Sequence, residues 1–523
     1  MARFYIENFG CRATQADGAA LERQFLERGL ERAGAARDAE IVVLNTCTVT
    51  EGADKDARAS IRRLQRVNPD CRILVTGCYA QRAPEELAAL PGVTWVVGNS
   101  HKHQAAKIAT SCTPSSGSLA TNSTFVPLGQ LAGAGFPPLR KERARMGHPA
   151  SVVVGDIFAH TELPAAPVFE AANERTRPNL KVQDGCDNRC SFCVIPYVRG
   201  QSRSLPGERV VAEVRTLVEA GYREVVISGI NLGRWGRDLE GSSQLSAVGE
   251  QGQFSTVIPP TEQPESNPER RTTNDRRLVS LIRAVLEQTS LEKLRISSVE
   301  PMDWSDELIE LVTASGRIAK HAHVPMQSGS DRVLRRMHRK YRPWHYREKI
   351  LKIRAMMPTA AIGADVMVGF PGETEAEFDE TRRMIEELPF TYLHVFTYSA
   401  RPGTSAAEQP GQVPAAVARE RNRVLREIAS EKKAAFMRSL VGTVVEAITL
   451  QSGGAEFTEA LTDNYLKMKI SGHYEANRWM DVKVEGVNGE MLLGEPLTDA
   501  ISKSTSRGRS DTGHRENALL PRW

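Results

Sequence analysis

Short apolar runs alternating with helical patterns recur in two long series along this chain, and that alternation restricts it to folds built on parallel sheets. In the first hundred residues, the runs at 3–6, 41–44, 73–75 and 93–97 read as buried strands, while LERQFLERGL and the segment from Ala53 to Val67 read as helices. They predict a compact α/β layer over residues 1–103. A second series starts near Leu180, with candidate strands LKVQ (180–183), EVVIS (224–228), KLRISS (293–298), AHVPM (322–326), AAIGADVMVG (360–369) and YLHVFTY (392–398). Six such units over residues 177–438 predict a parallel sheet, either open or curled into part of a barrel.

The remaining stretches differ in texture. Residues 104–176 turn to Ser, Thr, Pro, Ala and Gly and read as a linker or insertion, and residues 241–275 read as a polar insertion after the second strand of the second series. A long charged helix at about 413–440 leads into GTVVEAITL, NYLKMKI, WMDVKVEGV and EMLLGEPL, which predict a small antiparallel barrel over 439–500. Residues 501–523 read as a flexible basic tail. With 523 residues, 41% of them hydrophobic, the chain can bury two or three separate cores. No apolar run approaches the roughly 18 residues of a membrane span, and MARFYIENFGC lacks the layout of a secretory signal. A cytoplasmic location, with no membrane partner, is expected.

Eight unevenly spaced cysteines in a reducing compartment point to metal or catalysis rather than to a disulfide framework. In DGCDNRCSFCVIPYVRG, Cys186, Cys190 and Cys193 bring three thiolates onto one loop. Structural zinc wants four ligands, and the next histidine is His321. Iron–sulfur clusters also usually take four cysteines, so three leave one iron open to another ligand. An open cluster is the favoured reading, with zinc as the alternative. Cys11, Cys47 and Cys78 each lie a few residues past a different predicted strand, after FYIENFG, IVVLNT and ILVTG, and such ends converge on one edge of a parallel sheet. They read as a second cluster site, against the plainer reading of three small buried residues. Cys71 and Cys112 do not share the pattern and read as non-ligands.

With Phe192 before its last cysteine, the C-x3-C-x2-C run resembles the signature of the radical S-adenosylmethionine (SAM) superfamily. Two three-cysteine sets followed by a small barrel resemble the methylthiotransferases, over nearly the whole chain outside the insertions and tail. The segments NTCTVTEGADKDARASIRRLQRVNPD, VTGCYAQRAPEEL and KVQDGCDNRCSFCVIPYVRGQSRS are most similar to the branch that modifies N6-threonylcarbamoyladenosine in tRNA, the MtaB type. Thr14 departs from the family pattern, which often has Asn there. The resemblance implies an α/β fold: an N-terminal methylthiotransferase domain, a central partial (β/α)6 radical SAM barrel and a C-terminal TRAM-like β barrel.

It further implies that Cys186, Cys190 and Cys193 hold a [4Fe-4S] cluster whose open iron binds SAM and whose electron cleaves it to a 5′-deoxyadenosyl radical. Cys11, Cys47 and Cys78 would hold an auxiliary [4Fe-4S] cluster carrying the sulfur to be inserted, methylated by another SAM. The implied product is methylthiolated at C2 of the adenosine just 3′ of the anticodon. No side chain is named as a general base. The implied partners are a tRNA anticodon stem-loop, an electron donor such as a flavodoxin or ferredoxin, and a sulfur donor, with the enzyme a monomer. Alternatives are isopentenyladenosine in tRNA or a ribosomal-protein aspartate as substrate and, outside enzymes, an iron–sulfur electron carrier or an RNA-binding protein.

Strand-end placement makes Gly229, Asn231, Ser297, Glu300, Gln327 and Asp365 candidates for SAM contact, against tight turning for the glycine and capping or pairing for the carboxylates. In SDRVLRRMHRKYRP, Arg332, Arg335, Arg336, His338, Arg339, Lys340 and Arg342, with Tyr341 and nearby Trp344, predict contact with an RNA backbone and unpaired bases. A solvated helix face is the plainer reading. Residues 441–500 carry four Lys or Arg against ten Asp or Glu, a net charge of −6. RNA contact there would run through a local face such as Tyr465, Lys467 and Lys469; most phosphate contacts are expected elsewhere.

Overall fold

The computed structural model describes residues 2–111, 150–159, 177–239, 268–454 and 456–497. Most of the expected linker, with Cys112, most of the 241–275 insertion and the tail lie outside the described residues.

Strands β1 (Arg3–Asn8), β2 (Glu31–Arg32), β3 (Ile41–Thr46), β4 (Arg72–Gly77), β5 (Val93–Gly98) and β6 (Ser151–Val153) form one parallel sheet in the order β2-β1-β3-β4-β5-β6. IVVLNT is buried along its whole length because both faces of its sheet are covered. Val42, Leu44, Ile61 and Leu64 share one core, and Phe4, Leu21, Phe25 and Val43 share the other. The helix Glu51–Val67 buries Ala57, Ile61 and Leu64, and its N-cap Thr50 accepts a hydrogen bond from the Ala53 amide at 3.2 Å. Two pieces of the expected linker belong to this layer. Helix Ala105–Ser111 buries Ala105, Ala106 and Ala109, and Ser151–Val153 pairs with β5. Small residues and a three-residue strand carry too little periodicity to be read in advance.

The second series contributes β7 (Asn179–Asp184), β8 (Arg203–Ser204), β9 (Glu224–Gly229), β10 (Lys293–Ile296), β11 (His321–His323), β12 (Ala361–Val368) and β13 (Tyr392–Thr397). β10-β9-β7-β8 and β11-β12-β13 are linked by parallel bridges Leu294↔Ile318 and Ser298↔His323. Six parallel strands thus run in sequence order around a partial barrel, with the two-residue β8 antiparallel beside β7. The helix Pro268–Gln288 starts inside the stretch expected as an insertion. Alternate residues such as Leu180, Val182, Val225, Ile227, Leu294, Ile362 and Val366 join the largest core, among the surrounding helices. The intervening residues face inward: Lys181, Gln183, Glu224, Ser228, Arg295, His323, Asp365 and His394. A full (β/α)8 barrel packs its interior with branched apolar side chains, whereas this lumen is polar.

The long helix Ala415–Ser439 leads to β14 (Val444–Gly453), β15 (Phe457–Thr462), β16 (Lys467–Ser471), β17 (Trp479–Asn488) and β18 (Met491–Pro496), closed as β14-β15-β16-β18-β17. The β16–β18 pair is parallel, so the barrel is not purely antiparallel as expected. Its 463–465 loop closes the amino-terminal end of the partial barrel. Arg295 donates to the Asp463 carbonyl at 2.9 Å and pairs with Glu224 at 2.5 Å, both charged side chains being fully buried. Tyr465 is one candidate for a local RNA-reading face, the less favoured of the two readings. Instead its ring lies 4.9 Å from that of His321, and its hydroxyl accepts from Arg12 Nη2 at 3.0 Å.

The first layer docks along the open side of the partial barrel through buried charge. Asp17 accepts from Lys102 at 2.9 Å, Arg199 at 3.0 Å and Lys181, and Asp184 pairs with Lys181 at 2.7 Å and Arg199 at 3.0 Å. On the β13 side, Arg401 pairs with Asp54, and the Glu51 amide donates to Ser399 Oγ at 3.0 Å. Burial alone would raise Asp17, but Lys102, Lys181 and Arg199 outweigh it and hold the carboxyl well below its usual range. Its stabilising contribution is therefore present above about pH 4 and is lost as the pH falls through the depressed value. Asp17→Asn removes the central charge while keeping the volume. It is expected to cost about 3–5 kcal/mol, read as a clear fall in the thermal unfolding midpoint; an unchanged midpoint contradicts this role.

Candidate cluster and cofactor site

Each amino-terminal cysteine stands where a strand of the first sheet ends. Cys11 follows β1 and opens the helix Arg12–Leu26, Cys47 follows Thr46 of β3, and Cys78 follows Gly77 of β4 and starts the helix Cys78–Arg82. Because β1, β3 and β4 are neighbours, the three thiols share one sheet edge, as expected. Cys71 precedes β4, at the opposite edge. Gly10 is needed here: it has φ +101°, and a Cβ on it would come within 2.5 Å of the Cys47 Cβ and 2.9 Å of its Sγ. Thr14 Oγ1 lies 3.6 Å from Cys11 Sγ, so the residue that departs from the family pattern still touches this cysteine.

The second set lies on the loop after β7. The Cys186 amide donates to the Gly200 carbonyl at 3.1 Å, and the Cys193 amide to that of Cys190 at 3.1 Å. Ser191 Oγ donates to the Arg336 carbonyl at 2.8 Å, which fastens the loop to the basic run. Phe192 packs edge-on to Phe370 at 6.5 Å. Donors surround the sulfurs: Asn188 N–H at 3.4 Å and Asn231 Nδ2 at 3.7 Å from Cys186, and Arg339 Nη1 at 3.4 Å from Cys190.

The two sets meet. Cys78 packs with Val194, Val198 and Ile195, immediately after Cys193, and Asn99 donates both to Cys78 Sγ at 3.6 Å and to the Val198 carbonyl at 2.7 Å. The sequence reading missed Asn99, although its position directly after β5 is the strand-end signal that exposed the cysteines. Burial, followed by the neighbouring thiols Cys78 and Cys11, pushes Cys47 up to about 12. Burial and then Cys190 push Cys193 up to about 12, and burial also raises Cys186. Crowded thiols of this kind ionise readily only around a cation, and N–H groups aimed at sulfur suit metal-bound thiolates. The donor set therefore fits iron–sulfur clusters.

Five of the six expected SAM contacts gather at strand ends around the cysteine loop. Gly229 ends β9; the Asn231 amide donates to Gln183 Oε1 at 2.7 Å, while its buried Oδ1 has no partner among the described residues. Ser297 is buried just beyond β10, Glu300 pairs with Arg339, and Gln327 adopts φ +62°. Asp365 differs. It sits inside β12 and faces His323 and His394, each at 3.3 Å. The hydrogen bonds from these two histidines overcome the effect of burial and hold its carboxyl low.

The basic run divides. Arg339 is 7% exposed and Tyr341 1%, its hydroxyl donating to the Met326 carbonyl at 2.6 Å, so neither can meet RNA as expected. A residue at positive φ, His338 at +58°, turns the chain inward there, which composition could not reveal. Arg336 is bidentate to Glu377 at 2.9 and 3.0 Å, and Arg335 and Arg342 pair with Asp331 at 2.8 and 3.4 Å. Arg332, Lys340 and Trp344 remain exposed.

A family model described as uncharacterized protein family UPF0004 matches residues 3–98, and the Radical SAM superfamily model matches residues 180–385. The threonylcarbamoyladenosine tRNA methylthiotransferase MtaB of Bacillus subtilis is 33% identical over 476 residues, covering 90% of this chain and 91% of that protein. Its counterpart in Aquifex aeolicus is 32% identical over 481 residues, covering 92% and 99%. The tRNA-2-methylthio-N(6)-dimethylallyladenosine synthase of Erythrobacter litoralis is 31% identical over 459 residues, covering 86% and 87%.

The thiol environments predict an order of alkylation in iron-free protein. At pH 8 a thiol raised to about 12 is ionised in only about one part in ten thousand. Exposed Cys11 is expected to react with iodoacetamide first, and Cys47 and Cys193 last, as read by peptide mass spectrometry. Equal rates at all three contradict the described burial.

Proposed function

This chain belongs to the radical SAM methylthiotransferases, and from that premise we propose that it methylthiolates C2 of N6-threonylcarbamoyladenosine just 3′ of the tRNA anticodon. The observation that carries this reading is the meeting of two three-cysteine sets across Cys78, Val198 and Asn99. Cys186, Cys190 and Cys193 would hold one [4Fe-4S] cluster with SAM at its open iron, and Cys11, Cys47 and Cys78 an auxiliary [4Fe-4S] cluster. When bound, these groups supply the radical, sulfur and methyl chemistry that replaces an aromatic C–H bond, for which side-chain acid–base catalysis offers no easy route.

The protein's own residues orient and enclose. Gln183 fixes the cysteine loop by donating to the carbonyls of Asp184 and Gly185, both at 2.9 Å. Gly229, Asn231, Ser297, Glu300 and Gln327 would contact SAM. Arg339 keeps Glu300 in place and leans a donor on Cys190. The 463–465 loop caps one end of the lumen, held by Arg295 at the Asp463 carbonyl. Exposed Arg332, Lys340 and Trp344, with Arg335 on the same turn, would meet the anticodon stem-loop.

The enzyme would act in the cytoplasm as a monomer, with an electron donor such as a flavodoxin or ferredoxin and a separate sulfur donor. Among the described residues no helix is long and apolar enough to cross a membrane.

Anaerobic reconstitution tests the division of labour. The intact chain should carry about eight irons, and Cys193→Ala or Cys47→Ala about four. Cys193→Ala should abolish 5′-deoxyadenosine formation. Cys47→Ala should retain it and lose tRNA methylthiolation, followed by nucleoside mass spectrometry. The assignment fails if the intact, loaded enzyme leaves threonylcarbamoyladenosine unmodified.

A further inference from the structure

Three adjacent strands hold a polar cluster on the lumen face that the proposed chemistry leaves unused. His323 on β11, Asp365 on β12 and His394 on β13 are neighbours, Asp365 and His394 being direct partners in the strand register and His323 pairing two residues earlier on β12, with Gly363. Asp365 accepts from His323 Nε2 and His394 Nδ1 through separate oxygens, each at 3.3 Å. His323 Nδ1 lies 3.0 Å from the Tyr392 hydroxyl, which also reaches His321 Nε2 at 2.7 Å. Gly363 makes this possible, since a Cβ there would come within 2.0 Å of the Tyr392 ring. The network consumes both ring nitrogens of His323 and one of His394. Nε2 of His394, on a side chain 55% exposed, has no partner among the described residues.

The surroundings indicate what that nitrogen meets. Two residues further along the same face of β13, Phe396 is 45% exposed at the mouth of the lumen, an apolar surface on which an unstacked base can lie. Same-face strand neighbours are about 7 Å apart, so a group projecting from such a base reaches His394. Tyr392 and His394 line a cavity of about 470 Å³ whose charged lining is Arg177, Arg426, Lys433, Lys467 and Glu490, the last paired with Lys433 at 2.8 Å, so cations are in excess. An anionic end would be favoured there.

We infer that His394, held by Asp365 and His323, is the specificity-determining residue that reads a hydroxyl- and carboxylate-bearing N6 substituent on the target adenosine, with the cationic cavity taking the carboxylate. The inference rests on the tRNA reading above and deepens it by assigning the substituent its site. A purely apolar isopentenyl group would strip water from His394 and Asp365 without replacing its hydrogen bonds, which is how a polar pocket rejects an analogue.

The test is equilibrium binding by fluorescence anisotropy, under anaerobic conditions without SAM. Cluster-loaded protein is titrated with anticodon stem-loops that differ only at N6, bearing threonylcarbamoyl or isopentenyl. The wild type should prefer threonylcarbamoyl, and His394→Phe should cut the preference ratio by about ten-fold or more. His394→Gln, which keeps a side-chain donor, should recover part of it, and Asp365→Asn should weaken it. Iron content and circular dichroism matching the wild type verify that each variant folds. A wild-type ratio retained by both His394→Phe and Asp365→Asn overturns the inference, as does a wild type without preference. So does a stoichiometric non-iron metal that disappears with Asp365→Asn, since the cluster would then be a metal site. Methylthiolation of threonylcarbamoyl stem-loops by the wild type, assayed separately with SAM, distinguishes failure of this inference from failure of the function it rests on.

Discussion

The relation between the two cysteine sets depends on a buried group of five charges at the seam between the first sheet and the partial barrel. Lys102, Lys181 and Arg199 face Asp17 and Asp184, three cations against two carboxylates. Such a group is costly to bury and tolerates little displacement, because each charge is compensated only in one arrangement. The surplus positive charge is not wasted on empty space: Arg199 lies within electrostatic reach of Cys78 and Cys11. Thiolates around an iron cluster would complete the neutralisation. Arg199, one of the charges that hold the two layers in register, thus also faces the thiols at their junction.

From that junction the remaining parts follow. The first layer covers the open side of six strands that do not close on themselves, touching β7 through Asp17 and the end of β13 through Arg401. The third unit covers the floor with the 463–465 loop. What is enclosed is a polar lumen with donors at the top, around the cysteine loop, and an imidazole–carboxylate cluster beneath. Outward-facing Leu, Val and Ile stabilise the strands, so the inward positions are left available for chemistry.

Much of this was legible in the sequence for one physical reason. Parallel strands buried on both faces are written as continuous apolar runs, so IVVLNT and ILVTG announce both strand and end, and the cysteines after them acquire positions. The same logic located Asn231, Ser297 and Gln327. Asp365 stands grouped with these strand-end residues, although its own apolar run, 360–369, already places it inside the strand, where the structure has it. The logic failed where structure depends on direction rather than period. Arg339 and Tyr341 share a basic, aromatic composition with exposed Lys340, yet one left-handed residue, His338, sends them inward. Ser151–Val153 was unreadable because three residues make a strand only when a neighbour already offers a free edge.

The contact between Tyr465 and Arg12 joins residues 453 positions apart, and Arg12 is covalently next to Cys11. The small terminal barrel is therefore not an interchangeable attachment. A recombinant enzyme assembled from the catalytic part of one relative and the terminal barrel of another would inherit a mismatch beside Cys11 unless the 463–465 loop and the Arg12 turn were exchanged together. Modularity in this architecture ends at a joint inside the lumen, well away from the chain position where one unit gives way to the next.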